Sequence, residues 1–419
     1  MFRLGMLAFL IISLAVILTA ATIPSSQPGG LTIHEWGTFT SVAGEDGSAI
    51  TWNVLGCKSD LPRFVKDFGY RGLKLGVSGT VRMETPVLYF YSPREVEAHV
   101  KVTFPQGLLT EWYPQAEYEV HQKGVEDGST PALAPGEKRD WTPAPRNVAG
   151  CMRCHNQLNG VETQTQNLTG TLEWSRILVQ PGTSPSLPVE SEPSRYYAAR
   201  QTDAAPISVA GQQEKFLFYR GVGAFPIPLS ARISGEGQVV VENQGQPPVP
   251  VVIRFENREG KIGFRNAGAL RDTATIGTPE LNDSFPALRQ VLETALIGQG
   301  LFPKEAQAMV ETWRDSWFEE GSRLIYIVPA PAIDAILPLQ VEPAPVRTVR
   351  VFVGRVELIT AETKQSVESA LARSDWPAVD RYNRFLDPIF KRIYAANAFK
   401  ASESQQLFRN YQTSSAACR

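Results

Sequence analysis

The nine residues Val96–Phe104, VEAHVKVTF, constrain the fold more tightly than any other stretch. Val96, Ala98, Val100, Val102 and Phe104 alternate with Glu97, His99, Lys101 and Thr103. A period of two sends successive side chains to opposite faces of a strand. The stretch is therefore a half-buried antiparallel strand, with His99 on its polar side. The 33 glycines and 31 prolines supply many turns, which favours a β-rich chain over a helical bundle.

Residues 31–42 (LTIHEWGTFTSV) have strand composition, and 48–54 follow a Gly-Glu-Asp-Gly turn as a candidate hairpin partner. On such a strand His34 and Trp36 share one face and Glu35 takes the other. The apolar run Val81–Tyr91 contains Pro86, which predicts an edge strand or a bulge there. Residues 108–114 and 117–121 are further strand pieces. A second set of strands is expected over 171–179, 195–200, 215–221 and 238–243. A hairpin is expected over 249–265, turning at 257–260.

Two helices follow. Leu288, Val291, Leu292, Ala295 and Leu296 form a helical stripe after Asp283 or Ser284 as cap. Pro303 opens the next helix, with Ala306, Met309, Val310, Trp313 and Trp317 on its core face. They form an αα-hairpin. Strands at 324–328 and 349–359 come next. A helix capped by Thr360 runs to Arg373, and a last helix opens at Pro377 and is interrupted at Pro388. The expected class is a β-rich α+β fold, with antiparallel β-sandwich-like domains, an αα-hairpin and C-terminal helices. Its divisions are 31–123, a Pro/Gly-rich loop at 124–160, 161–282, 283–400 and a polar tail at 401–419.

Residues 1–23 carry one early positive charge, a long apolar run and small residues at Thr19 and Ala21. That is the pattern of a secretory signal peptide. Uncleaved, its run of about 20 residues is long enough to anchor the chain in a membrane. The expected location is periplasmic or secreted. A net charge of −2 with 20% charged residues gives no basic face for nucleic acid.

Export bears on the cysteines, Cys57, Cys151, Cys154 and Cys418. Cys151-Met152-Arg153-Cys154-His155 is a C-x-x-C-H run. Two thiols at this spacing can each add to a vinyl group of one haem, and the following histidine can bind its iron. The run resembles the attachment motif of cytochromes c. That resemblance implies haem c on Cys151 and Cys154, with His155 as the proximal ligand and a redox partner protein. The sixth position then decides between electron transfer and ligand binding. His34, His99, His121 or a methionine are candidates for it. The resemblance covers only the eleven residues 150–160, and the strand-rich surroundings depart from a cytochrome c fold. A Cys151–Cys154 disulfide or half of a metal site are the alternatives.

Six stretches carry a wider resemblance: HEWGTFTSV from His34, METPVLYFY from Met83, TEWYP from Thr110, RYYAAR from Arg195, FLFYRGVG from Phe216 and SWFEEGSRL from Ser316. Together they resemble a family of uncharacterised exported bacterial proteins. The resemblance implies a bacterial envelope or secreted location and supplies no activity.

Three functions compete. The first is a haem-bearing redox protein. The second is a haem-free binding module presenting Trp36, Trp112, Tyr113, Tyr196 and Tyr197 to a glycan or envelope component, although large aromatics also fill cores. The third is a hydrolase using Glu35, Glu84 and Glu111, since two carboxylates about 5–10 Å apart suffice for glycoside cleavage. No nucleophile elbow, Walker loop, HExxH or Rossmann fingerprint is present.

Overall fold

A computed structural model describes residues 30–55, 61–68, 77–122, 163–245 and 247–396. The expected leader, the C-x-x-C-H run, all four cysteines and the tail lie outside these residues.

The strands are β1 (Thr32–Val42), β2 (Lys66–Asp67), β3 (Val77–Ser78), β4 (Val81–Tyr91), β5 (Val96–Phe104), β6 (Gly107–Tyr113), β7 (Glu117–Gln122), β8 (Thr163–Gln164), β9 (Leu168–Val179) and β10 (Ile207–Val209). They continue as β11 (Gln212–Glu214), β12 (Leu217–Gly223), β13 (Leu229–Ile233), β14 (Val239–Asn243), β15 (Val249–Arg258), β16 (Lys261–Leu270), β17 (Thr273–Ile276), β18 (Gly321–Ile327), β19 (Leu339–Glu342) and β20 (Arg347–Leu358). The helices are α1 (Phe285–Gly298), α2 (Pro303–Trp317), α3 (Ala330–Ile336), α4 (Ala361–Arg373), α5 (Trp376–Asp380) and α6 (Leu386–Ala396).

The fold is β-rich α+β, with mixed and antiparallel sheets and a few helices. The main sheet runs β11-β10-β9-β6-β12-β4-β1-β20-β18-β15-β16, with β5 and β7 on β9, β19 on β5 and β2 on β6. At its centre β1 pairs antiparallel with β4 and parallel with β20. All eleven residues of β1 are buried. Covering layers on both sides explain this. Ile33 and Phe39 enter one core with Phe90 and Phe352. On the other face Trp36 packs with Leu288, Leu292, Met309 and Trp317 of the α1–α2 hairpin. Val42 lies under α4 and α6 with Val367, Leu371 and Ile389. Each large apolar side chain taken fully out of water contributes roughly 1.5–3 kcal/mol.

Local chemistry explains most boundaries. The Ser284 hydroxyl accepts from Ala287 N to start α1, and the Thr360 hydroxyl accepts from Thr363 N to start α4. α2 begins at Pro303, where no amide donor is needed. β15 and β16 form the expected hairpin, turning through Glu259 and Gly260, both at positive φ. β5 buries Ala98, Val100, Val102 and Phe104 of the alternating set that its sequence marks, with Val96 half-buried.

Other expectations are corrected. Residues 48–54 form no hairpin strand, because β4 and β20 occupy both edges of β1; only isolated bridges at Ala49 and Trp52 remain. Arg195–Arg200 is a 3-10 helix capped by Ser194 rather than a strand. Pro86 lies in a central strand, and the bulge alternative is the one observed. β4 carries one more residue between Glu84 and Val87 than β1 carries between Thr38 and Trp36. Pro388 falls in the first turn of α6, where proline is tolerated. The connection after β18 holds α3 and β19, which its prolines concealed.

Candidate functional site

The sequence runs from β11 straight into β12 through Lys215, while the 3-10 helix at 195–200 leads into an extended segment at 202–206. With the loop after β9, these pieces enclose an open cleft of about 450 Å³. Tyr91, Ser92, Pro181, Thr183, Leu187, Asp203, Pro206 and Lys215 are among its lining residues. This is within the size range of small-molecule sites, roughly 300–1,000 Å³.

Lys215 is the chemical focus of the cleft. Its Nζ donates to the Thr202 carbonyl at 2.7 Å. Burial lowers its ammonium from the ordinary lysine value; Asp203 opposes that shift and Lys304 adds to it. Asp203 is itself neutralised by Lys304, with Nζ and Oδ1 2.5 Å apart. The three charges leave one positive charge in excess. Below the cleft, Glu214 fixes the start of β12. It accepts from Arg200 Nη2 at 2.6 Å, from the Tyr196 hydroxyl at 3.0 Å and from Lys215 N at 2.8 Å. Burial raises the Glu214 carboxyl despite the guanidinium beside it.

Tyr91 links the cleft to a buried polar chain. Its hydroxyl donates to Glu305 Oε1 at 2.8 Å, and burial with the Glu305 charge pushes the phenol far above its ordinary range. Glu305 Oε2 accepts from Phe302 N at 2.7 Å and meets His34 Nδ1 at 2.8 Å. The His34 ring is 4.5 Å from the Phe302 ring and 5.3 Å from the Tyr91 ring, centroid to centroid. His34 is fully buried, and its Nε2 has no hydrogen-bond partner among the described residues.

Of the three candidate carboxylates, Glu35 separates from the other two. Glu35 points to the opposite face of β1, accepting from the Tyr219 hydroxyl and from Arg350 Nε at 2.6 Å. Glu84 and Glu111 share the helix-covered face. Glu84 is opposite Thr38, and Glu111 is opposite Arg220. Arg384 Nη1 donates to Glu84 Oε1, and Arg220 Nη2 reaches the Thr85 hydroxyl at 3.4 Å.

The aromatic platform is not formed by the residues expected to form it. Trp36, Trp112 and Tyr113 are buried in the cores because both faces of their strands are covered, and Tyr196 of the 3-10 helix is buried with them. Tyr197 is half-buried and accepts from Glu190 N at 3.0 Å. Among the histidines, His99 Nε2 meets Glu173 Oε1 at 2.9 Å, and His121 is the exposed one, 3.4 Å from Glu119. Met83 and Met309 are fully buried core residues. His34, Met83 and Met309 are thus enclosed in the packed cores. Cys151, Cys154 and His155 lie outside the described residues. Among the described residues no group of three or more His, Cys, Asp or Glu could hold a metal.

Lys215, Asp203 and Lys304 were not singled out in the sequence. Lys215 stands at the mouth of a strongly apolar strand, but a single lysine there has no periodic signal. Its neighbours in the cleft come from three separate segments, 91–92, 181–187 and 202–206.

No family model and no curated protein matches this chain. Among solved structures it is similar to the "Yeast delta-COP-I mu-homology domain complexed with Dsl1 WxWxV peptide", with 9% identity and a TM-score of 0.25 over 78% of this chain and 96% of that one. A TM-score that low carries no argument about fold or ligand.

Proposed function

We propose that this chain is an exported binding protein whose cleft takes a small organic carboxylate with an apolar body. The observation that carries the reading is Lys215, a half-buried amine in a 450 Å³ cleft edged by prolines, Leu187, hydroxyl groups and Asp203, whose charge is met by Lys304. An ammonium taken partly out of water gains most from an anion that replaces its lost hydration. Pro181, Pro185, Leu187 and Pro206 offer the apolar walls, and Ser92, Thr183 and Thr202 offer hydroxyls for orientation. The pattern at residues 1–23 supports export. Among the described residues no helix is long and apolar enough to cross a membrane. A sandwich-like architecture is part of the same reading, since β13, β14 and β17 pack Leu229, Val239, Val241 and Ile276 into the core that also holds Ile33 and Phe352.

The test is calorimetric titration of the full chain with 3-phenylpropanoate and with its neutral amide. Binding of the acid, at least tenfold weaker binding of the amide, and loss of that preference in Lys215→Met support the reading. Equal affinity for both probes, or a preference that survives Lys215→Met, overturns it.

A second reading rests on Cys151-x-x-Cys154-His155. With haem c attached there, the group would supply one-electron redox chemistry, with Cys151 and Cys154 holding it and His155 binding its iron.

A further inference from the structure

A second polar assembly lies on the helix-covered face, away from the cleft. It crosses five adjacent strands, β6-β12-β4-β1-β20. Glu111 faces Arg220, Thr38 faces Glu84, and Thr40 lies between Arg82 on one side and Arg355 on the other. The end of α2 and the turn before α6 close it from above. Arg384 Nη2 donates to the Ser316 hydroxyl at 2.8 Å, and Arg355 Nη1 donates to the same oxygen at 3.0 Å. Arg355 Nη2 also reaches Glu319 Oε1 at 2.5 Å.

Three observations set this seam apart from a closed ion-pair network. First, the ladder is interrupted at one level. β4 carries an extra residue against β1 and against β12, and β6 carries one against β12. The extra residue in β4 brings Thr85 to φ 45°, a conformation that strains a β-branched residue. Bulges of this kind re-aim side chains. Second, buried polar atoms there have no hydrogen-bond partner among the described residues: Thr38 Oγ1, Thr40 Oγ1, Glu84 Oε2 and Arg355 Nε. Thr38, Thr40 and Arg355 are 0% exposed and Glu84 is 1% exposed. Each such atom destabilises the fold unless something meets it. Third, the guanidiniums of Arg82, Arg220, Arg355 and Arg384 gather along the seam beside the carboxylates of Glu84, Glu111 and Glu319, with Asp67 opposite Glu111 on β2.

We propose that the seam binds a small oxyanion that keeps one proton, of the hydrogen phosphate class. The guanidiniums of Arg82, Arg355 and Arg384 around the unpartnered atoms disfavour a cation. Two hydroxyls and the Arg355 Nε donate to oxyanion oxygens, while Glu84 Oε2 can only accept and therefore requires a proton on the ligand. Arg82, Arg384 and Glu319 are 14–16% exposed and form the one rim open to solvent among these residues, which limits the ligand to a few atoms.

The test is thermal unfolding of the full chain in phosphate and in sulfate at neutral pH and equal ionic strength, with phosphorus NMR line broadening as a direct measure of phosphate binding. Phosphate should raise the midpoint with the logarithm of its concentration, and sulfate, which carries no proton, should not. Thr40→Val should fold and weaken phosphate binding about tenfold, the worth of one hydrogen bond to a charged group. Glu84→Gln should admit sulfate, because an amide can donate to it. Equal shifts by both anions in the unaltered chain would overturn the proposal. So would the absence of any shift and of line broadening, or a phosphate effect unchanged in Thr40→Val.

Discussion

Thr38 of β1 and Glu84 of β4 are direct cross-strand partners on one buried face, and the very next step of β4 carries the extra residue that holds Thr85 at φ 45°. The two side chains therefore stand where the sheet ladder breaks, with Thr38 Oγ1 and Glu84 Oε2 lacking partners among the described residues.

The strain at Thr85 is measurable. Thr85→Gly removes the Cβ that disfavours positive φ but loosens the unfolded chain, so a net stabilisation of about 1 kcal/mol is expected in urea unfolding. A destabilisation above about 2 kcal/mol would show that the Arg220 contact to the Thr85 hydroxyl outweighs the backbone term.

Glu319 makes the stability of the seam pH-dependent. Burial alone raises its carboxyl, but Arg355, Arg384 and Arg323 outweigh that and hold it below its ordinary 4.5. A depressed carboxylate contributes stability that is fully present above the unfolded value and is lost as pH falls through the folded value. Glu319→Gln leaves guanidiniums buried without their anion, so a loss of about 3–5 kcal/mol is expected at pH 7. The gap between the two proteins should narrow as pH is lowered below 4.5. A gap independent of pH would contradict this assignment.

Much of this architecture is legible in the residues. The alternation of Val96–Phe104, the capped helices and the hairpin at Glu259 and Gly260 are local signals, and local geometry decides them. Pro86 announced a bulge, but only pairing with strands on both sides shows that β4 is central. Trp36 and Tyr196 look like a recognition surface in sequence because burial depends on what covers a strand, which no single stretch encodes. Glu35 and Glu84 look equivalent until the register sends them to opposite faces. The cleft was invisible because Lys215, Asp203 and Lys304 come together only through tertiary packing.

Glu305 is the hub behind the cleft, accepting from Tyr91 and Phe302 and meeting His34. Tyr91→Phe removes one of these bonds and should cost about 1–2 kcal/mol. Glu305→Ala strands several buried polar groups and should cost at least about 3 kcal/mol. Chemical denaturation of both variants checks the ranking, and a reversed order would show that Tyr91 is held by something other than Glu305.

The haem reading has its own direct check. Protein matured in an export-competent host with c-haem machinery should give a c-type pyridine haemochrome band, lost in Cys154→Ala. Correctly exported, folded protein without the band would remove haem and leave Cys151 and Cys154 as a candidate disulfide.

The central claim is that ligand sits against Lys215, and the most direct measurement is amine footprinting of the full chain. Lysine acetylation is followed by peptide mass spectrometry with and without saturating 3-phenylpropanoate. The account predicts that Lys215 is protected at least about fivefold by the ligand, while Lys101 and Lys391, outside the cleft lining, label at unchanged rates. Saturable binding with Lys215 labelled equally fast in both conditions would place the ligand elsewhere and contradict the assignment of the cleft.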